Sequence, residues 1–380
     1  MSGPIRVAIL GSTGSIGRQA LDIVASIPDQ FQVMALAAGS NVGLLEKQLE
    51  QFHPSFVHAA GPGALANASL SAEVAAPQDI AVHPDLDVLL VGTTGKAGLL
   101  PALAALKAGK AVALANKEAL VMAGSILTEA ARQHGGQLRP VDSEHSAIWQ
   151  CLWGEETSNI RRLILTASGG AFRDLPLEAL SEVTPGEALK HPTWDMGPKI
   201  TIDSATLFNK GLETIEARWL FDVPLEHVEV LQHRESIIHS LVEFSDGSVK
   251  AQLGMPDMRL PILLALTYPQ RAPHPQTPTL DLAAIGKLHF ADIDRTRFPL
   301  LQLAIDAGLR GGTHPAVAAA ADEVAVQQFL DSRIGFVEIA SVVESVLSKH
   351  DGIADPELED ILAADEWARR EAEDWIAARA

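Results

Sequence analysis

Through the first 140 or so residues, short aliphatic runs alternate with amphipathic stretches. Val7–Leu10, Gln32–Leu36, Val88–Val91, Ala111–Leu114 and Leu138–Val141 read as strands. Between them the apolar positions fall at helical spacing, as in Ile16, Ala20, Ile23, Val24 and Ile27 before Pro28. Strand followed by helix, repeated, predicts a doubly wound, Rossmann-like parallel sheet. From Arg162 the texture changes to short strands, Leu163–Thr166 and Ser248–Gln252 among them, set between Gly- and Pro-punctuated loops. That mixture predicts a central α+β domain. Prolines at 256, 261, 269, 273, 275, 278 and 299, with no sustained period, predict a linker over 266–300. Beyond it the chain reads as a helical bundle. Pro315 suits a first helical turn, Ile339, Val342, Val343, Val346 and Leu347 form one stripe, and Asp365 is expected to cap a last helix bearing Trp367 and Trp375. The expected class is α/β, with domains over 1–141, 142–265 and 301–380. The alanine-rich stretch Ala59–Ala76 is expected to be exposed, and no internal repeat is visible.

Composition narrows the picture. A net charge of −19, a pI near 5.0 and the lack of any Lys/Arg-rich run argue against nucleic acid and anionic membranes as partners. With 47% apolar and 20% charged residues the chain can bury ample core. Its one cysteine, Cys151, cannot form an internal disulfide, which suits a reducing compartment. Met1–Leu10 runs straight into a strand, and no apolar run is long enough for a membrane span. Cytoplasm is the expectation.

Directly after the first strand comes Gly11-Ser12-Thr13-Gly14-Ser15-Ile16-Gly17. Glycines there allow a tight turn and close approach of backbone N–H groups to a pyrophosphate at a helix N-terminus. The same spacing also serves a turn that merely packs strand on helix. At the end of the second strand, Ala37-Ala38-Gly39-Ser40-Asn41 carries no carboxylate to meet a ribose hydroxyl, which favours NADP(H) over NAD(H). Ala115-Asn116-Lys117-Glu118 follows the fourth strand, where Asn116 could equally cap a helix. Asp142 and Glu144, two residues apart, would point the same way from extended backbone, and a proton or a hard divalent ion would relieve their repulsion. A solvated loop with a capping aspartate is the alternative. His191-Pro192-Thr193-Trp194-Asp195-Met196-Gly197-Pro198-Lys199 places a large apolar ring in a turn-rich loop, as a lid would, or as a loop would whose Trp packs on its own domain. Ser204, Asn209 and Lys210 form a donor set suited to a phosphate monoester, although Ser204–Glu213 reads equally as a capped helix start. Thr166-Ala167-Ser168-Gly169-Gly170 adds a hydroxyl beside two glycines.

Taken in order, Gly11–Gly17, Leu114–Glu118, Pro140–His145, Ser168–Gly170, His191–Gly197, Asp203–Glu213 and Leu253–Arg259 closely resemble the 1-deoxy-D-xylulose 5-phosphate reductoisomerases, over essentially the whole chain. Each motif is weak alone, and seven at these spacings are specific. The resemblance implies a homodimer that converts 1-deoxy-D-xylulose 5-phosphate and NADPH to 2-C-methyl-D-erythritol 4-phosphate and NADP⁺ for isoprenoid precursors. It makes 1–141 the NADPH-binding domain and 142–265 the domain of catalysis and dimerisation. Carried over by position, it places Mg²⁺ or Mn²⁺ on Asp142, Glu144 and Glu213, and the substrate's phosphate on Ser168, Ser204, Asn209 and Lys210. The hydroxyketone end falls to Lys117, Ser143, Glu144, His191 and Glu213, with Trp194 closing over it. NADPH contacts fall on Thr13, Gly14, Ser15, Ile16, Gly39, Ser40, Asn41, Asn116, Glu118 and Gly197. Ser40 departs from the several relatives that carry a basic side chain there, which narrows the expected margin over NADH.

Two other functions share part of this signal. An ordinary NADP-dependent aldehyde or semialdehyde dehydrogenase needs no trio of carboxylates. A dinucleotide-sensing regulator needs no phosphate pocket.

Overall fold

The computed structural model describes residues 3–61, 65, 72–194, 196–273 and 276–379. The first stretch holds β1 (Ile5–Leu10), α1 (Ser15–Ser26), β2 (Phe31–Ala38), α2 (Val42–Phe52), β3 (Phe56–Ala59), β4 (Glu73–Val74), α3 (Pro77–Ala81), β5 (Val88–Val91), α4 (Leu99–Lys107), β6 (Ala111–Leu114), α5 (Lys117–His134) and β7 (Gln137–Pro140). Then come α6 (Ser143–Cys151), β8 (Ile160–Ala167), α7 (Pro185–Ala188), α8 (Pro198–Thr206), α9 (Phe208–Phe221), β9 (Val228–His233), β10 (Ile238–Phe244) and β11 (Val249–Leu253). The chain continues through α10 (Arg259–Thr267), α11 (Leu282–Ile285), β12 (Phe290–Asp292), α12 (Pro299–Arg310), α13 (His314–Leu330), α14 (Glu338–Ser348) and α15 (Leu358–Ala377).

Two compact units form. The first comprises residues 1–119, 125–146 and 257–278, and the second 120–124, 147–256 and 279–380. The first unit is the expected parallel sheet, in the order β4-β3-β2-β1-β5-β6-β7. Its order reverses at β1, so the carboxyl ends of β1 and β5 flank the crevice where such sheets bind ligands. Both faces are covered, which is why the strands are apolar at successive positions. Val7, Ile9, Val88, Leu90, Ala111 and Ala113 pack with α1, α2 and α10, whereas Ala8, Leu89, Val91, Val112 and Leu114 are equally buried on the face that α4 meets. Half of the alanine-rich stretch lies outside the described residues; of the rest, Ala60, Gly61, Glu73, Val74 and Ala76 are exposed as expected, whereas Ala72 is buried against this core.

The second unit holds a mixed sheet, β11-β10-β8-β9-β12, in which only β8 and β9 run parallel. α9 is buried on two sides. Ala217 and Phe221 join the core of this sheet with Ile148 and Leu163, while Phe208, Leu212 and Ile215 join the helical core with Leu300, Val317 and Phe329. The Ile339–Leu347 stripe is buried as expected, and Pro315 stands in the first turn of α13. Every residue of α13 from Pro315 to Asp322 is buried, because α8, α12, α14 and α15 all pack on it. Its alanines permit that close approach.

Three expectations change. Asp365 does not start a helix: α15 begins at Leu358 with a capping box between Glu357 and Asp360, and Asp365 is buried mid-helix, paired with Arg369 at 3.0 Å. The stretch 266–300 is more than a connector, since Phe290–Asp292 adds β12 to the edge of the second sheet and residues up to 267 belong to α10. Asp142 and Glu144 do not share an extended strand. β7 stops at Pro140, Ser146 N–H donates to the Asp142 carbonyl, and α6 carries Ala147, Ile148 and Cys151 into the core at helical spacing.

Candidate active site

In the first unit the glycine turn joins β1 to α1. Gly11 and Ser12 N–H both donate to the Ala37 carbonyl, which ties the turn to the end of β2. Gly17 is required sterically: a Cβ there would meet the Gly11 carbonyl at 2.3 Å and the Ser12 Cα at 2.5 Å. Thr13 and Gly14 lie in the turn, and Ser15 and Ile16 open α1 with backbone N–H groups that no earlier helical turn can take up. Gly39 and Ser40 follow β2, and Asn41 caps α2 by accepting from Leu44 N–H at 3.2 Å. Ser12 is closed off by Gln48, each side chain bonded to the other residue at 2.8 and 2.9 Å.

Asn116 does what its capping alternative described. Its Oδ1 accepts from Ala119 N–H, and its Nδ2 donates to the carbonyls of Thr93 and Gly95 and to Glu118. Lys117, the first residue of α5, is buried and donates to Asp142 Oδ2 at 2.7 Å. Burial alone would push the Asp142 carboxyl up, but Lys117 and then His145 overrule it and hold it well below the usual range. Ser143 donates to Glu144 at 2.8 Å, and Glu144 N–H points at Asp142 Oδ1 at 3.4 Å. Asp142, Ser143 and Glu144 are therefore one cluster with Lys117.

In the second unit, Ser168 leaves the end of β8 and the chain turns through Gly169 and Gly170. A Cβ on Gly170 would meet the Ser204 carbonyl at 2.4 Å, so only glycine lets this turn sit on α8. That approach brings two hydroxyls to one imidazole. His191 Nε2 lies 3.1 Å from Ser168 Oγ and 3.1 Å from Ser204 Oγ. Burial first, then the cations of Arg173 and Lys210, lower the His191 pKa to about 4. Leu207, in the left-handed region at φ 59°, breaks α8 from α9. α9 then presents Asn209, Lys210 and Glu213: Asn209 donates to Glu213 Oε1, and Lys210 Nζ lies 2.5 Å from Glu213 Oε2, with Glu213 only 1% exposed. Trp194 is half-buried, its ring 6.2 Å from that of His239, and Gly197 stands at the start of α8; Asp195 lies outside the described residues.

One buried cluster has no counterpart among the sequence-derived candidates. Lys199 reaches both Asp203 at 2.5 Å and Asp322 at 3.0 Å, and both acids are buried. Burial, then the charge of Asp322, push the Asp203 carboxyl up to about 8. The signal was Asp322, the acid that directly follows the wholly apolar run Pro315–Ala321.

Comparison with known proteins decides the family. The family model for 1-deoxy-D-xylulose 5-phosphate reductoisomerase matches residues 7–124, its C-terminal domain model matches 138–221, and a DXP reductoisomerase C-terminal domain model matches 253–371. The reductoisomerase of Pelotomaculum thermopropionicum is 52% identical over 373 residues, 96% of each chain. This chain belongs to the 1-deoxy-D-xylulose 5-phosphate reductoisomerase family. The Geobacillus reductoisomerase is 51% identical over 96% of this chain and 98% of its own. Among solved structures, the Zymomonas mobilis reductoisomerase in complex with NADPH is 44% identical with a TM-score of 0.89, covering 98% of this chain and 99% of that one. A DOX-P reductoisomerase in complex with NADPH, fosmidomycin and magnesium is 38% identical with a TM-score of 0.92, covering 98% of both. The reductoisomerase fold accounts for the parallel sheet, the second sheet and the helical C-terminal part alike.

Proposed function

We propose that this chain, an NADPH- and divalent-metal-dependent 1-deoxy-D-xylulose 5-phosphate reductoisomerase of isoprenoid precursor biosynthesis, holds its substrate by the phosphate on Ser168, Ser204, Asn209 and Lys210. The observation that carries this reading is the meeting of two hydroxyls on the His191 ring, in the unit where Lys210 is a buried cation. A phosphate monoester needs such an ordered set of donors. NADPH lies along the carboxyl ends of the first sheet, against Thr13, Gly14, Ser15 and Ile16, Gly39, Ser40 and Asn41, Asn116 and Glu118, with Gly197 as a further contact.

Asp142, Glu144 and Glu213, each offering one carboxylate oxygen, take up Mg²⁺ or Mn²⁺. The donor set fits: it is all oxygen, and Asp142 and Glu213 already rest on the ammonium groups of Lys117 and Lys210, as carboxylates so buried must rest on some cation. When bound, the ion supplies Lewis-acid polarisation of substrate oxygens and NADPH supplies hydride. Lys117 and Glu144, with Ser143 donating to the latter, hold and move the hydroxyl protons during rearrangement. His191 and Trp194 orient the hydroxyketone end and exclude water. The enzyme works as a homodimer in the cytoplasm, with residues 1–141 binding the dinucleotide, 142–265 carrying catalysis and dimerisation, and 301–380 forming the helical part.

The test is spectrophotometric. NADPH oxidation should require 1-deoxy-D-xylulose 5-phosphate, fail with the unphosphorylated sugar, vanish with chelator and return with Mg²⁺ or Mn²⁺. Turnover that survives chelation removes the carboxylate site, and equal rates without the phosphate remove the Ser/Asn/Lys pocket. Light scattering on the eluted protein checks the dimer.

A further inference from the structure

The charges of Arg173 and Lys210 both act on the His191 imidazole, and Arg173 has no part in the reading above. Arg173 follows the Ser168–Gly170 turn and its side chain is 20% exposed. Its Nη1 donates to the Ser168 carbonyl at 2.8 Å and to the Arg234 carbonyl at 3.2 Å. Its Nε stands 3.6 Å from Asp174, an exposed carboxylate that Arg234 grips at 2.6 and 3.0 Å. The guanidinium thus braces the turn that carries Ser168.

The hydrogen bonds also fix the state of the imidazole. His191 Nδ1 accepts from Thr193 N–H at 3.1 Å and from Trp194 N–H at 2.9 Å. A ring nitrogen that receives two amide N–H groups carries no proton, so the neutral ring is protonated at Nε2. That N–H is shared between the oxygens of Ser168 and Ser204, and Gly170 N–H adds a further donor to Ser168 Oγ at 3.3 Å. A hydroxyl whose oxygen accepts still has its own O–H to give. An imidazolium would set an Nδ1–H against two amide N–H groups, and both Arg173 and Lys210 oppose its charge.

We propose that Arg173 is a positioning residue for the phosphate end of the substrate, bracing the Ser168 turn so that the Oγ of Ser168 stays beside the His191 Nε2–H and, with Ser204, turns its hydroxyl hydrogen toward the anion. The inference rests on the phosphate reading of Ser168 and Ser204.

The experiment uses the full chain with NADPH, Mg²⁺ and 1-deoxy-D-xylulose 5-phosphate. Arg173→Met should raise KM for that substrate about tenfold or more, with a smaller fall in kcat and no change in KM for NADPH. Arg173→Lys, which keeps the charge and loses the fork, should raise KM less. In ¹⁵N-histidine spectra, with His191→Gln for assignment, wild-type His191 should be the Nε2–H tautomer and stay neutral down to about pH 5, whereas in Arg173→Met its titration should move up toward the ordinary value of about 6.5. An unchanged KM in Arg173→Met, or a wild-type Nδ1–H tautomer, overturns the proposal. If Arg173→Met does not fold, the wild-type tautomer and the Arg173→Lys kinetics decide. Ser204→Ala separates the two layers: a raised KM there with an unchanged KM in Arg173→Met sinks Arg173 alone, and an unchanged KM in Ser204→Ala sinks the phosphate reading with it.

Discussion

In the function proposed above, the glycine turn of the first unit and the hydroxyl pocket of the second each receive an anion, by opposite means. The turn works through backbone: Gly11, Ser12 and Gly14 belong to seven consecutive residues, and their geometry follows from the close approach at Gly17. The pocket works through side chains from three segments, Ser168 after β8, His191 in a loop and Ser204 on α8, brought together where Gly170 meets the Ser204 carbonyl. A backbone device depends on a few contiguous positions and tolerates varied side chains. A side-chain device depends on packing over the whole unit, so its supporting residues are scattered.

The comparison can be broken at either end. Glu213→Gln, in the side-chain region, should reduce turnover by at least about a thousandfold, because a neutral amide replaces a buried anion whose proposed task is to hold a cation. NADPH binding, followed by nicotinamide fluorescence, should be intact, and wild-type turnover would remove Glu213 from the metal site. Gly17→Val should do the converse, weakening NADPH roughly tenfold to a hundredfold, since the new side chain would strike the backbone of Gly11 and Ser12. Unchanged affinity would show that the turn yields.

Of the first region, almost all was legible in the sequence, because strand, turn and helix cap are local. Leu10, Gly11 and Ser15 announce one another. The second region was legible only as separate hydroxyls, amides and ammonium groups. Nothing near Ser168 in the chain signals that His191 lies beside it, and Arg173 has no local mark at all. The misplaced cap at Asp365 has the same origin: an acid expected to cap a helix start is held inside α15 by Arg369, four residues on. Two residues apart puts Asp142 and Glu144 on one side only while backbone stays extended, and the apolar spacing through Cys151 instead winds α6.

A third test concerns the buried acids of the second unit. Asp203 holds its proton to about pH 8 in the folded chain, for reasons of burial first and of Asp322 second, and releases it near the ordinary carboxylate value when unfolded. The folded state therefore binds the extra proton between about pH 4 and 8, so this group's stabilisation is full below that window and is lost as pH rises through it. Asp322→Asn removes the like charge and leaves Lys199 to Asp203 alone, so the decline of Tm across the window should be shallower by about 3 °C or more. Parallel Tm curves would mean that Asp322 does not raise Asp203. The smallest effect is expected at the dinucleotide end: Ser40→Arg should increase the preference for NADPH over NADH by about tenfold, read from the ratio of kcat/KM values. No change in that ratio would place the 2′-phosphate away from residue 40.

Because α13 meets neighbours around its whole circumference between Pro315 and Asp322, a larger side chain at Ala318 or Ala320 would have no vacant direction in which to swing. Change in this rod is expected to be inherited in pairs, a gain of volume on one helix matched by a loss on the helix it touches, while its outward-facing companions drift one residue at a time.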